Sequence, residues 1–212
     1  MKVISEQLIY DAFRRFLVKK SRPRTEAIHV SEVVGCLRKA YYNRKYGDEQ
    51  LNHLAPTKRV ILSLGLSTHL ILEEILEELG YKTESIYTLN LGGLKLVGTP
   101  DAVNPQRNSI LEIKTVNKLQ EHPLEHHILQ LNTYQGILKI IYDSRPPLGH
   151  IIYIHKRDGQ IKIHTHTFDE QLFHKIIERA RIYHQYLKQD QEPPAEQSWL
   201  CHYCEWKWRC KP

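Results

Sequence analysis

Two short stretches of this sequence carry residue types suited to metal-assisted hydrolysis: Gly98-Thr99-Pro100-Asp101 and Ile110-Leu111-Glu112-Ile113-Lys114-Thr115. On a strand, side chains alternate between faces, so Glu112 and Lys114 share one. Leu111, Ile113 and Val116 are expected to face mostly the other way, towards the core. An adjacent strand can bring Asp101 beside Glu112 and Lys114. Ionisable groups within an apolar strand are costly unless paired or bound to a metal. Two carboxylates can hold a hard divalent cation, Mg²⁺ or Mn²⁺. Such a cation polarises a phosphodiester and lowers the pKa of a bound water. A nearby ammonium can orient that water or stabilise developing negative charge. Glu-x-Lys alone also describes an ordinary ion pair on a surface strand; the preceding Gly-x-Pro-Asp and the turn between the two strands separate the cases.

Further polar residues fall in order around this pair. Gly65-Leu66-Ser67-Thr68-His69 lies in a helical pattern upstream, and Gln130-Leu131-Asn132-Thr133-Tyr134 in another downstream. Gln130 and Tyr134 are four residues apart and share a helix face, so they can reach one site together. Read alone, His69 is a packed or exposed helical histidine, and the second group a polar stripe on an amphipathic helix.

The cysteines form a second set. Cys201-His202-Tyr203-Cys204 and Cys210 lie close together, and Cys36 lies far upstream. A Cys-x-x-Cys with a third cysteine six residues on is a metal-binding arrangement, and Cys36 completes four thiolates. Tetrahedral Zn²⁺ and a [4Fe–4S] cluster both accept four thiolates, so spacing does not choose between them. Trp199, Tyr203, Trp206 and Trp208 flank these residues; shielding and packing is their expected role, with base stacking as the alternative.

The elements that must position these residues can be read from periodicity. Residues 4–20 form an amphipathic helix, and 21–30, with Pro23, a loop. Ser31 is placed to cap a short helix carrying Cys36, Arg38 and Tyr41. Residues 60–79 are helical and end at Gly80, a C-cap. Strands follow at 82–90, 94–103 and 109–116, the last two joined by the turn-rich 104–108. Residues 124–141 are helical, 150–156 and 161–168 form a hairpin across Asp158-Gly159, and 169–189 are helical. Pro193-Pro194 marks a linker. This order predicts an α/β fold with a mixed central sheet flanked by helices.

The chain has 212 residues, a formal net charge of +6 and an ordinary apolar fraction, enough for one domain with a real core. The basic balance favours polyanionic partners. No run of roughly 18 apolar residues is present, and the first twenty residues lack the apolar core of a signal peptide, so a cytoplasmic protein is expected. In that compartment four cysteines point to a metal site or free thiols rather than disulfides. No G-x-x-x-x-G-K-[ST] phosphate loop occurs, which excludes an ATP-driven motor of that type.

Asp-x(n)-Glu-x-Lys is the signature of the PD-(D/E)xK nucleases. The ordered set Cys36 with Arg38-Lys39-Ala40-Tyr41-Tyr42, Gly65…His69, Gly98…Asp101, Glu112-Ile113-Lys114, Gln130…Tyr134 and Cys201…Cys204…Cys210 resembles the CRISPR-associated RecB-like exonucleases, the Cas-four family, over nearly the whole chain. The resemblance implies a restriction-endonuclease-like core spanning 1–212, with 31–59 and 195–212 contributing an iron–sulfur module. It implies a [4Fe–4S] cluster on Cys36, Cys201, Cys204 and Cys210. It also implies a Mn²⁺ or Mg²⁺ held by His69, Asp101, Glu112 and the backbone carbonyl of Ile113. Lys114 would be the catalytic lysine, with Gln130 and Tyr134 positioning it or the DNA backbone. The implied activity is end-directed degradation of single-stranded DNA, linked to trimming DNA before spacer integration and thus to the CRISPR integrase complex. Basic and aromatic residues expected along the DNA path are Arg38, Lys39, Tyr41, Lys58, Arg59 and Lys118. The competing reading is a non-catalytic module for DNA-end binding or assembly, in which the cluster only staples the fold.

Overall fold

The computed structural model describes residues 5–20 and 26–210. Residue 4 and the first half of the loop expected at 21–30, including Pro23, lie outside the described residues; of the second half, Ile28–His29 form a strand and Val30 opens a helix. The helices are α1 (Glu6–Lys20), α2 (Val30–Val33), α3 (Leu37–Tyr46), α4 (Gln50–His53), α5 (Pro56–Glu78), α6 (Glu125–Ile141) and α7 (Glu170–Lys188). The strands are β1 (Ile28–His29), β2 (Lys82–Thr83), β3 (Tyr87–Asn90), β4 (Lys95–Gly98), β5 (Ala102–Asn104), β6 (Ser109–Val116), β7 (Leu148–His155) and β8 (Ile161–His166). Two 3₁₀ turns, Gly47–Glu49 and Trp199–Tyr203, complete the path.

The strands form two sheets, ordered β1-β4-β3 and β2-β5-β6-β7-β8. In the larger sheet β6 and β7 run parallel, joined through α6, and the other pairs are antiparallel. The α/β architecture with a mixed sheet between helices is therefore as expected. Helix α5 covers one face of that sheet, where Leu76 packs with Ala102, Leu111 and Ile113. Helices α6 and α7 cover the other face, through Leu131, Ile137, Ile151, Tyr153, Ile176 and their neighbours. Among the described residues no helix is long and apolar enough to cross a membrane.

Several boundaries differ from expectation, each with a local cause. The strand expected at 82–90 is two strands in different sheets, because Glu84 adopts a positive φ of 50° and turns the chain. The strand expected at 94–103 is likewise β4 in the small sheet and β5 in the large one. Pro100 lies at the break and has no N–H for a ladder. Ser31 lies inside α2 rather than capping a helix that carries Cys36. His29 is the N-cap, its N–H donating to the Glu32 carboxylate at 2.8 Å, and Cys36 separately caps α3. Val116 shares parity with Glu112 and Lys114, not with Leu111 and Ile113, and packs with the α6 side of the core.

Helix α6 is enclosed nearly all round, with Leu129 to Leu138 buried except Gln130, as befits a helix between a sheet and another helix. Its close approach depends on glycines. A Cβ at Gly136 would lie 2.3 Å from Phe173 of α7, and one at Gly149 would lie 2.8 Å from Leu131. The N-terminus of α7 is tied to it as well. Asn132 Nδ2 donates to the Asp169 carbonyl at 2.8 Å, and the Asp169 N–H donates to Asn132 Oδ1 at 2.7 Å. The Asp169 side chain then caps α7 by accepting from Gln171 and Leu172.

Candidate active site

Strands β5 and β6 build the site. Their register pairs Ala102 with Leu111, and one further step sets Asp101 opposite Glu112. The Ile113 N–H donates to Asp101 Oδ2 at 2.6 Å, which fixes that carboxylate against the β6 backbone. Its other oxygen, Oδ1, lies 3.4 Å from His69 Nδ1 on α5. His69 reaches the sheet because α5 is held down by Leu72 and Leu76, one and two turns further along. Glu112 is 1% exposed. One of its oxygens is paired with the Lys114 ammonium, and the other, Oε2, is buried without a partner.

The electrostatics follow from this burial. Desolvation pushes the Glu112 carboxyl up to about 7, partly offset by the Lys114 charge. Burial pulls Lys114 down, but the carboxylates of Glu112 and Asp101 more than offset it, so its pKa lies above the ordinary lysine value and it stays an ammonium. The Asp101 hydrogen bond raises His69 against its burial. Glu112 is thus the group whose charge is costly, and a cation beside it would relieve that cost.

Helix α6 supplies the far wall. Gln130 and Tyr134 share one face of α6, as their four-residue spacing predicts, and Gln130 Nε2 donates to the Tyr134 hydroxyl at 2.9 Å. Tyr134 is buried, and desolvation together with the nearby Glu112 charge holds its hydroxyl well above the ordinary tyrosine range. Its ring lies on Gly98: a Cβ there would come 2.9 Å from Tyr134 Cδ1. The glycine of Gly-x-Pro-Asp is thus explained by packing rather than by backbone conformation.

The six side chains singled out here, His69, Asp101, Glu112, Lys114, Gln130 and Tyr134, therefore surround one region. Two neighbours were not anticipated. Glu73 follows His69 by one turn of α5; burial raises its pKa, and it feels the charges of both His69 and Asp101. The i,i+4 spacing from His69 was the available signal. His126 is lowered by burial and by Lys114.

The donor chemistry fits a hard divalent cation: the imidazole of His69 and the carboxylates of Asp101 and Glu112, the latter with one buried oxygen that has no partner. As folded, no three of His, Cys, Asp or Glu converge in ligating geometry among the described residues, at this site or at the cysteines.

The cysteine region is assembled by long-range side-chain ties. Trp206 is fully buried, and its Nε1 donates to Asn43 Oδ1 of α3 at 2.6 Å. Arg38 Nε donates to the Pro193 carbonyl at 2.8 Å, and its Nη1 lies 3.9 Å from Cys210 Sγ. Glu196 accepts from the Leu37 N–H at 3.1 Å, while its own carbonyl accepts from Cys201 Sγ at 3.7 Å. Burial raises the Cys204 thiol, and Cys36 is close enough to add to that rise. All four cysteines are free thiols; Cys36 lies near Cys204, and Arg38 of α3 lies near Cys210. The aromatic residues divide. Trp206 packs in the core, whereas Trp199, Tyr203 and Trp208 are exposed.

The expected DNA-path residues also divide. The Tyr41 hydroxyl donates to Asp190 Oδ1 at 2.8 Å, and Arg38 pairs with Glu192 at 3.1 Å, so both tie α3 to the segment after α7. Lys39 pairs with Glu205, and Arg59 is buried. Lys58 and Lys118 are exposed.

The sequence matches the PD-(D/E)XK nuclease superfamily over residues 8–211. It is 29% identical over 133 residues to the CRISPR-associated exonuclease Cas4 of Saccharolobus solfataricus, a stretch covering 56% of this chain and 64% of that protein. The fold is similar to the crystal structure of SSO0001, with a TM-score of 0.67 and 22% identity over 99% of this chain and 98% of the other.

Proposed function

The chain belongs to the PD-(D/E)XK nuclease superfamily, and on that premise we propose that it is a Mn²⁺- or Mg²⁺-dependent exonuclease that shortens single-stranded DNA. The observation that carries this reading is the buried Glu112 beside Lys114, with one carboxylate oxygen left without a partner and with Asp101 and His69 adjacent. A binding module has no need for that arrangement, since an unpaired buried carboxylate oxygen costs stability.

The cation would be held by His69, Asp101, Glu112 and the carbonyl oxygen of Ile113. When bound, it would supply Lewis-acid polarisation of the phosphodiester and a water of lowered pKa. The chain's own residues do the rest. Lys114 remains charged and stabilises negative charge developing on the phosphate oxygens. Tyr134 remains protonated and, steadied by Gln130, is a fixed donor on the α6 wall. Asp101 is locked by the Ile113 N–H, so it needs little reorganisation.

A [4Fe–4S] cluster on Cys36, Cys201, Cys204 and Cys210 would join α3 to the segment after α7 as a structural staple. We further propose a role in trimming DNA ends before CRISPR integration, beside the integrase complex; the likeness to a CRISPR-associated exonuclease of Saccharolobus supports the link to CRISPR and to exonuclease activity.

The test is anaerobically purified protein with end-labelled single-stranded DNA, in Mn²⁺ or in EDTA, beside Glu112→Gln. Metal-dependent shortening lost in the variant is expected. Folded wild-type protein that binds DNA without cleaving it would replace this reading with an end-binding role. Visible absorption near 400 nm that bleaches with dithionite distinguishes the cluster from zinc.

A further inference from the structure

A second recess opens away from Glu112, where α3, the turn between β3 and β4, and the last turns of α7 meet. Its volume is about 450 Å³, and its walls include Glu26, Arg44, Lys95, His184, Leu187 and Lys188. Lys95 opens β4 and Asp101 follows that strand's far end, so the recess and the acidic centre lie at opposite ends of one strand.

The charges in the recess are not equivalent. Arg44 is already committed: its Nη2 lies 2.6 Å from the Glu32 carboxylate and 2.6 Å from the Ala27 carbonyl. It is a rigid part of the wall. Lys95 and Lys188 are exposed at the mouth, and neither has an ion-pair partner among the described residues. His184 contributes a buried Nε2 without a hydrogen-bond partner. Burial, with Lys188 nearby, lowers its pKa, so at neutral pH the ring is an uncharged part of the wall. Leu187 adds an apolar surface.

Two uncommitted ammonium groups and an apolar wall in one recess suit an anion that carries an organic body. The volume lies in the range of small-ligand sites and exceeds what a bare phosphate fills. We propose that this recess binds a nucleoside monophosphate unit, free or as the terminal nucleotide of a strand, with its phosphate facing Lys95 and Lys188. The Glu26 carboxylate accepts from a sugar hydroxyl or a base amino group. This site is separate from the proposed nuclease centre and stands or falls without it.

The test is fluorescence anisotropy of base-labelled adenosine 5′-monophosphate at low salt in EDTA, where no metal-dependent cleavage occurs. The wild type is compared with Lys95→Ala/Lys188→Ala and with Glu112→Gln. Both lysines are exposed, so the double variant keeps its fold; His184→Phe is a second probe of the same cavity. Affinity is expected to fall at least about tenfold in the double variant, since charge-assisted contacts to phosphate are lost, and to be unchanged in Glu112→Gln. Competition by oligonucleotides with and without a terminal phosphate separates a strand-end ligand from a free nucleotide. Equal affinity in the wild type and the double variant would overturn the proposal. So would unphosphorylated adenosine binding as tightly as the monophosphate, or inorganic phosphate displacing the probe at equal concentration.

Discussion

The acidic centre and the cysteine region are built by different means. Asp101, Glu112 and Lys114 are placed by the backbone ladder of β5, β6 and β7, and His69 by a helix laid on that sheet. The cysteine region is placed by side chains reaching across the sequence. Trp206 reaches Asn43, Arg38 reaches the Pro193 carbonyl, and Arg179 of α7 donates to the carbonyls of Val33 and Gly35 beside Cys36. A ladder spreads positional information over many backbone hydrogen bonds, so a single side chain can be lost without moving its neighbours. A region held by a few anchors loses its geometry with any one of them. Substitutions should therefore separate chemistry from structure in the first region and not in the second.

The largest expected effect tests the first half of that contrast. Glu112→Gln should lower DNA cleavage by on the order of 10²–10³-fold or more, with thermal unfolding no lower than in the wild type. A parallel loss of melting temperature would break the contrast. Trp206→Ala tests the other half. It should cost about 3–5 kcal/mol in denaturant unfolding, while the specific cleavage rate of the protein that remains folded changes far less. Gly136→Ala comes next: its methyl would meet the Phe173 ring at 2.3 Å, and a cost of about 1–3 kcal/mol is expected from overpacking. Because that helix carries Gln130 and Tyr134, a fall in cleavage alongside stability would mark the limit of the ladder's tolerance.

A pH titration sharpens the comparison further. His127 sits on α6 against the Tyr153 hydroxyl at 2.8 Å, and burial, followed by the Lys114 charge, lowers it to about 3. Its ordinary unfolded value is about 6.5. Its contribution is therefore fully present above pH about 6.5 and declines as pH falls towards about 3. Chemical denaturation of the metal-free protein should show this acid limb, and His127→Gln should flatten it; an unchanged limb would assign the loss to other groups. The smallest effect is expected for Tyr134→Phe. It removes one hydroxyl from a wall that keeps its shape, so cleavage should drop several-fold, within about one order of magnitude, at unchanged stability.

The sequence displays some of this directly. The alternation in 109–116 announces a strand with Glu112 and Lys114 on one face, and the four-residue spacing of Gln130 and Tyr134 announces that they share a face of α6; the hydrogen bond between them appears only in the structure. The passage of the chain between sheets at Pro100 and near Glu84 is not legible from alternation. Period-2 patterning reports that a segment is extended, not which sheet receives it. The role of Gly98 also stays hidden until the Tyr134 ring is in place. Arg38 and Tyr41 look like nucleic-acid contacts because their types suit that task. Their partners, Glu192 and Asp190, lie about 150 residues away, and no local pattern encodes such pairings.

Trp206 and Asn43 are separated by 163 residues. At roughly 5–20 residues per second of synthesis, α3 waits on the order of ten seconds or longer before the indole that covers it exists. Throughout that interval Tyr42 and Tyr46, which pack on Trp206 at 5.5 and 5.9 Å, are bare on the nascent chain beside an unaccompanied Cys36. A region completed only when Trp206 emerges is thus open to oxidants and to other chains for longer than one built from neighbours in sequence, such as the β5–β6 hairpin.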